Sequence, residues 1–226
     1  MNLDYNASMS TRTADELLQA IEHLPDSATL VVHGVSWEDY ECVLDHLGDR
    51  SHLRVSYDQG RLEIMSPLQE HEEYARFIDA LVRAFSEYLK LKLQAYGGAT
   101  WKRQRLTRGA EPDCCFYVAN ADRVIGKRRF DLETDPPPDI VVEIDITNES
   151  ISKFPIYAAL GVPQIWRYTG RKQHFYVLDD DAYRETTESP SFPGLDPNLL
   201  VDALEQSKTD GQTAALHAFR EKIPGH

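Results

Sequence analysis

The residue types best placed to do chemistry are acids on short apolar runs, followed closely by a lysine. Residues 136–147 read PPPDIVVEIDIT. On a β-strand alternate residues share a face, so Ile140, Val142, Ile144 and Ile146 point one way and Val141, Glu143 and Asp145 the other. The first set is a core face. The second places two carboxylates side by side, an arrangement that is costly under cover unless a cation accompanies it. The competing reading is a strand whose acidic face is simply solvated.

A third acid opens the preceding apolar run. Pro112 holds Glu111 extended, and Asp113 leads into residues 114–118, CCFYV. If these two strands are neighbours, Asp113 and Glu143 lie across the ladder at about 5 Å between β-carbons. That spacing lets both share one divalent ion, and all-oxygen ligands suit Mg²⁺ or Mn²⁺ better than zinc. Lys153 follows ten residues after Glu143, early in a predicted helix. An ammonium beside metal-bound carboxylates orients a water or stabilises charge on a phosphate. The competing reading for Lys153 is a surface lysine at a helix start.

The constellation Pro112-Asp113, Glu143-x-Asp145 and Lys153 resembles the PD-(D/E)xK nuclease pattern. Flanking words narrow it: LEIMSP at 62–67, EHE at 70–72, EPD at 111–113, PPDIVVEID at 137–145 and IYAALGVPQIWRY at 156–168. Together and in this order they resemble the Uma-two family of restriction-endonuclease-like proteins, numerous in cyanobacteria, over residues 53–178. The resemblance implies an α/β, restriction-endonuclease-like sandwich with a central mixed sheet flanked by helices. It also implies metal-dependent hydrolysis of DNA. Asp113 and Glu143 become the metal ligands and, with Lys153, the catalytic set. Asp145 stands where many such nucleases keep their lysine, and could assist the metal through water. A first-helix acid often completes such a site, so Glu72 is a candidate ligand. Glu70 and His71 are alternatives, His71 for phosphate contact or proton transfer. All three are equally explained as N-terminal helix residues favoured by the dipole.

Charge is distributed unevenly. The chain of 226 residues carries 24 basic and 37 acidic side chains, a formal charge of −13, which opposes nucleic-acid approach over most of the surface. Residues 101–130 reverse this with eight basic residues against three acidic. Lys102, Arg103, Arg105, Lys127 and Arg128 are therefore the expected phosphate track, with Arg103 and Arg105 on one strand face. The alternative is a solvated strand edge guarded by cations. Trp101 and Tyr117 could stack on bases but read more simply as core. DNA is the expected partner, and a homodimer is compatible with cutting two strands. A non-catalytic binding or interaction module on the same fold is the alternative function.

The elements that must position these residues follow from pattern. A helix is predicted over 15–23 with Thr13 as N-cap, a strand at 30–32, and a helix over 37–47 between Ser36 and Gly48. Strands 53–57 and 61–65 flank the turn Asp58-Gln59-Gly60. Tyr74, Phe77, Ile78, Leu81, Val82, Phe85, Leu89 and Leu93 recur at three and four, predicting one long amphipathic helix that runs to Gly97-Gly98. Strands over 100–107, 113–118 and 140–147, a helix over 152–160, strands at 162–168 and 174–178, and helices over 199–206 and 212–221 complete the chain. Residues 1–52 and 181–226 read as helical extensions on a core spanning 53–180, all in one compact domain.

Several classes are excluded or disfavoured. There is no glycine-rich phosphate loop, Ser-His-Asp signature or HExxH motif. No window approaches a membrane span and the start lacks a secretory layout, so a cytoplasmic protein without membrane partners is expected. Cys42, Cys114 and Cys115 form no CxxC pair and read as reduced, mostly buried residues.

Overall fold

Backbone hydrogen bonding divides the strands of this computed structural model, which describes residues 2–4, 14–48, 53–146 and 149–223, into two sheets of six. The chain begins with β1 (Asn2–Asp4), α1 (Ala14–Glu22), β2 (Thr29–His33) and α2 (Trp37–Leu47). Ser36 caps α2 by accepting from the Asp39 amide at 3.0 Å, and Gly48 ends it, as the sequence predicts. The expected Thr13 cap and the Thr147 end of the acidic strand lie outside the described residues.

Next come β3 (Arg54–Asp58) and β4 (Arg61–Met65), a hairpin whose turn residues Gln59 and Gly60 both have positive φ, 48° and 98°. Two positive values define the tight turn that matches strand twist. Then α3 (Gln69–Tyr88) leads to β5 (Gln94–Tyr96), β6 (Trp101–Arg103), β7 (Arg108–Ala110), β8 (Cys114–Tyr117) and the short α4 (Ala121–Val124). After β9 (Ile140–Ile144) follow α5 (Phe154–Leu160), β10 (Gln164–Tyr168), β11 (Gln173–Asp179), β12 (Ala182–Thr186), α6 (Pro197–Asp210) and α7 (Gln212–Lys222).

Two expectations are corrected. The long helix stops at Tyr88 rather than at the glycine pair. Lys90 takes φ 55°, and the amides of Lys90 and Leu91 bond the carbonyls of Glu87 and Ser86, a left-handed stop built without glycine. Leu89, Leu91 and Leu93 still pack on the core, from a loop. The strand expected over 100–107 is broken by a 3₁₀ turn at Gln104–Leu106 and a left-handed Thr107, so β6 and β7 form a hairpin. Arg103 and Arg105 therefore do not share a strand face. Strands β1, β5 and β12 and helix α4 had no predicted counterpart.

The first sheet runs β1-β2-β4-β3-β7-β6 and the second β12-β11-β10-β9-β8-β5. The second is mixed: β9 and β10 are parallel and its other pairings antiparallel. The α/β class with a mixed sheet is thus as the sequence implies. Helices α3, α6 and α7 cover one face of this sheet, burying Phe85, Trp166 and Phe219 against Phe116 and Val142. On the other face Val141 and Ile165 pack with Trp101, Tyr117 and Tyr157. Strand β9 is therefore covered on both faces, which removes the solvated-face reading of Glu143; the strand stops at Ile144, so Asp145 lies one residue beyond its end rather than on it. Trp101 and Tyr117 are core residues. Helices α1 and α2 pack Leu17, Tyr40 and Val43 on β3 and β4 of the first sheet. Cys114 and Cys115 are buried and Cys42 is exposed. Among the described residues no helix is long and apolar enough to cross a membrane.

Candidate active site

The register of β8 on β9 pairs Cys114 with Val142, which sets Asp113 opposite Glu143 one step earlier. Asp113 is fixed at both ends. Its amide donates to the Val142 carbonyl at 3.1 Å, and its Oδ2 accepts from the Ile144 amide at 2.7 Å. Just before it, Glu111 is fastened to the first sheet. The Glu111 amide donates to the Val55 carbonyl, its Oε2 accepts from the Val55 amide at 3.1 Å, and its Oε1 accepts from the Thr100 hydroxyl. The Glu111-Pro112-Asp113 triplet is thus the hinge point where the first sheet hands over to the second.

Glu143 is 2% exposed. Its Oε2 accepts from Lys153 Nζ at 2.8 Å and its Oε1 from the Tyr157 hydroxyl. Lys153 ends a single 3₁₀ turn and begins α5, so it and Tyr157 stand four residues apart on one face, both aimed at the same carboxylate. Lys153 Nζ also donates to the Glu111 carbonyl at 3.2 Å, which closes a ring of contacts around the hinge. The three sequence-predicted catalytic residues are therefore together, and each is at least 95% buried.

Burial dominates the electrostatics. It pushes the Glu143 carboxyl up to about 7, with repulsion from Asp113 adding to it and the Lys153 charge and hydrogen bonds opposing. For Lys153 burial acts downward, but Glu143 and then Asp113 outweigh it and hold the ammonium protonated above its ordinary value. Burial, then the charge of Glu143, raises Tyr157 far above the phenol range, so it remains a neutral donor. Near neutrality the cluster thus holds a charged lysine beside an acid that a second cation can ionise.

The donor set fits a hard divalent ion. Asp113 Oδ1 is buried and, among the described residues, accepts no hydrogen bond, although Arg54 Nε stands 3.4 Å away. Asp113 and Glu143 would hold the ion, with the remaining positions left to water, as Mg²⁺ tolerates. Among the described residues no three His, Cys, Asp or Glu side chains are gathered at metal-binding spacing, so this is a pair and not a cage.

The other candidates are placed differently. The Asp145 carboxylate pairs with Arg167 and accepts from the Ser150 amide and hydroxyl at 3.0 and 3.2 Å. Glu72 pairs with Arg54 and shares with Asp113 a cavity of about 240 Å³ between α3 and β5. Glu70 is exposed and accepts from the Tyr74 hydroxyl at 2.5 Å. His71 is 1% exposed, and burial lowers its pKa against the pull of Asp113, Asp145 and Glu70.

Most of the basic strip is spent on intramolecular contacts. Lys102 pairs with Glu41 at 2.7 Å, Arg103 donates to the Leu132 carbonyl at 2.7 Å, Arg105 reaches Glu133 at 3.1 Å, and Lys127 pairs with Asp135. Arg128 is exposed and, among the described residues, forms no ion pair; neither does its neighbour Arg129. These two, with Lys102 and Arg54, line a second cavity of about 620 Å³. Sequence reasoning missed Arg54, Glu111 and Tyr157 as parts of the cluster. Only Tyr157 carried a usable signal, its spacing from Lys153.

The chain matches a family model described as "Uma2: Putative restriction endonuclease" over residues 37–208. No curated protein matches it. Among solved structures it is similar to the crystal structure of "a putative nuclease belonging to DUF820" from Anabaena variabilis, at 14% identity and a TM-score of 0.47. That match covers 84% of this chain and 97% of the other.

Proposed function

This chain belongs to the Uma2 family, and from that premise we propose that it is an endonuclease hydrolysing DNA phosphodiester bonds with Mg²⁺ or Mn²⁺. The observation that carries the proposal is the placement of Asp113 opposite Glu143 with Lys153 Nζ 2.8 Å from the Glu143 carboxylate. A bound divalent ion would supply Lewis acidity and a more acidic water. Asp113 and Glu143 would hold it, and the ionised Glu143 would keep the Lys153 ammonium in place. Lys153 would stabilise negative charge accumulating on the phosphate, in a site dry enough for that charge to matter. Arg128 and Arg129 border the larger cavity as candidate contacts to the nucleic-acid backbone.

The test is cleavage of supercoiled plasmid and of single-stranded DNA by the purified chain in Mg²⁺, Mn²⁺ or EDTA, beside Asp113→Ala and Glu143→Ala. The proposal expects cleavage that needs metal and is lost in both variants. Cleavage that survives in the double variant at the wild-type level would sink it.

A second reading is favoured by one observation: two carboxylates, rather than three donors, face each other, and four of the five expected phosphate contacts are engaged within the chain. On that reading the chain is a binding module on a nuclease-like fold. Its signature would be DNA affinity indifferent to Mn²⁺ and no cleavage in any condition.

A further inference from the structure

Arg54 is the first residue of β3, 8% exposed, and its neighbours are unusual for a strand residue. The guanidinium pairs with Glu72 from the head of α3 and reaches Asp113 Oδ1 through Nε at 3.4 Å. It lies so close to the backbone at Gly98 that a β-carbon there would stand 3.2 Å from the guanidinium carbon. A side chain at this position would press on the guanidinium. Gly98 also lines both cavities: the smaller contains Asp113 and Glu72, the larger contains Arg54 itself with Lys102, Arg128 and Arg129. Arg54 thus stands between the carboxylates and the basic cavity.

We propose that Arg54 is the resident counter-cation of the metal-free site: it neutralises Asp113 and Glu72 until a divalent ion displaces it towards the larger cavity, where it would meet a nucleic-acid phosphate. The inference rests on the reading of Asp113 as a metal ligand. Its physical basis is competition. Asp113 Oδ1 is buried and accepts no hydrogen bond among the described residues, and Arg54 Nε stands 3.4 Å from it beside the Glu72 pair. A dication on that oxygen would repel the guanidinium across a few ångströms of poorly screened space. By linkage the effect is reciprocal, so what metal does to Arg54, loss of Arg54 does to metal affinity. The displaced fork of donors suits a phosphate, two of whose oxygens can accept from it bidentately.

The test compares the full chain with Arg54→Met and Arg54→Lys, measuring thermal unfolding in EDTA and in saturating Mn²⁺, and Mn²⁺ affinity by calorimetry. The expected result is that Arg54→Met melts below wild type in EDTA, that Mn²⁺ closes more than half of that gap, and that the variant binds Mn²⁺ at least tenfold more tightly. Arg54→Lys should fall between the two and carries the comparison should Arg54→Met fail to fold. A gap of the same size with and without Mn²⁺, or unchanged affinity, would overturn the inference while leaving the metal site standing. If Mn²⁺ binds neither wild type nor variant, the metal reading of Asp113 falls, and this inference with it.

Discussion

The hinge cluster of Asp113, Glu143 and Lys153 and the basic strip of residues 102–129 hold charges of the same kinds, yet under opposite conditions. In the cluster every charge is buried and bonded to another member or to backbone. Along the strip the charges are partly or fully exposed, and Lys102, Arg103, Arg105 and Lys127 are matched with nearby carboxylates or a carbonyl. The physical worth of a pair differs accordingly. A buried pair that loses one partner leaves a charge with nowhere to go, whereas an exposed pair is replaced by water at little cost. Sequence density of charge therefore misidentifies where charge is costly to disturb: the strip is richer in cations, but Lys153 is buried against a carboxylate.

The sharpest way to break this comparison is Lys153→Met. It should destabilise the chain by about 3–5 kcal/mol, because Glu143 would lose its cation. Urea unfolding reads this directly, and the double variant Lys153→Met with Glu143→Gln should recover part of the loss. A loss below 1 kcal/mol would mean that the cluster behaves like the surface.

Metal is next in size. Free Mn²⁺ at 100 times its dissociation constant should stabilise the wild type by about 2.7 kcal/mol. Asp113→Asn should abolish most of that gain, while Arg128→Ala should leave it intact. Differential scanning fluorimetry across a Mn²⁺ titration separates these cases, and equal gains in both variants would remove Asp113 from the metal site.

The third test uses pH. Burial raises Glu143 from its ordinary 4.5 to about 7, so the folded chain keeps a proton there that the unfolded chain gives up. The folded state binds more protons between those values, so its stability is fully present below about 4.5 and declines as pH rises towards 7. Glu143→Gln, a mimic of the protonated acid, lacks that decline. In EDTA the wild type should thus lose stability relative to Glu143→Gln between pH 4.5 and 7. Parallel stability curves would contradict the assignment of burial as the dominant cause.

The smallest effects belong to the strip. Removing either partner of the Lys102–Glu41 or Arg105–Glu133 pairs should change stability by about 0.2–1 kcal/mol. Arg128→Ala and Arg129→Ala should leave unfolding unchanged but weaken DNA binding, each lowering the salt slope by about 1. Binding measured at two salt concentrations is the check. If Lys102→Ala weakens DNA binding as much as Arg128→Ala, intramolecular pairing does not decide which cations are available.

Legibility in the sequence tracked locality. The helix between Ser36 and Gly48 was readable because its cap, its stop and its stripe all lie within a few residues. The opposition of Asp113 and Glu143 was readable because alternation and a strand-opening proline set their faces, and the register bears it out. Lys90 hid the end of α3, since its left-handed conformation is one that glycine normally announces. The break between β6 and β7 was hidden for a similar reason, with Thr107 rather than glycine at the left-handed position. Arg54 was invisible in a deeper sense. Its partners Glu72, Gly98 and Asp113 come from three other segments, and only the tertiary fold brings them together.

The most direct measurement is a crystal structure of the chain soaked in Mn²⁺, with anomalous scattering used to locate the ion. The account predicts a peak about 2.0–2.3 Å from Asp113 Oδ1 and a Glu143 oxygen, with the Arg54 guanidinium moved away from Asp113. Saturating Mn²⁺ that leaves no peak between those carboxylates, with Arg54 still seated on Asp113, would contradict it.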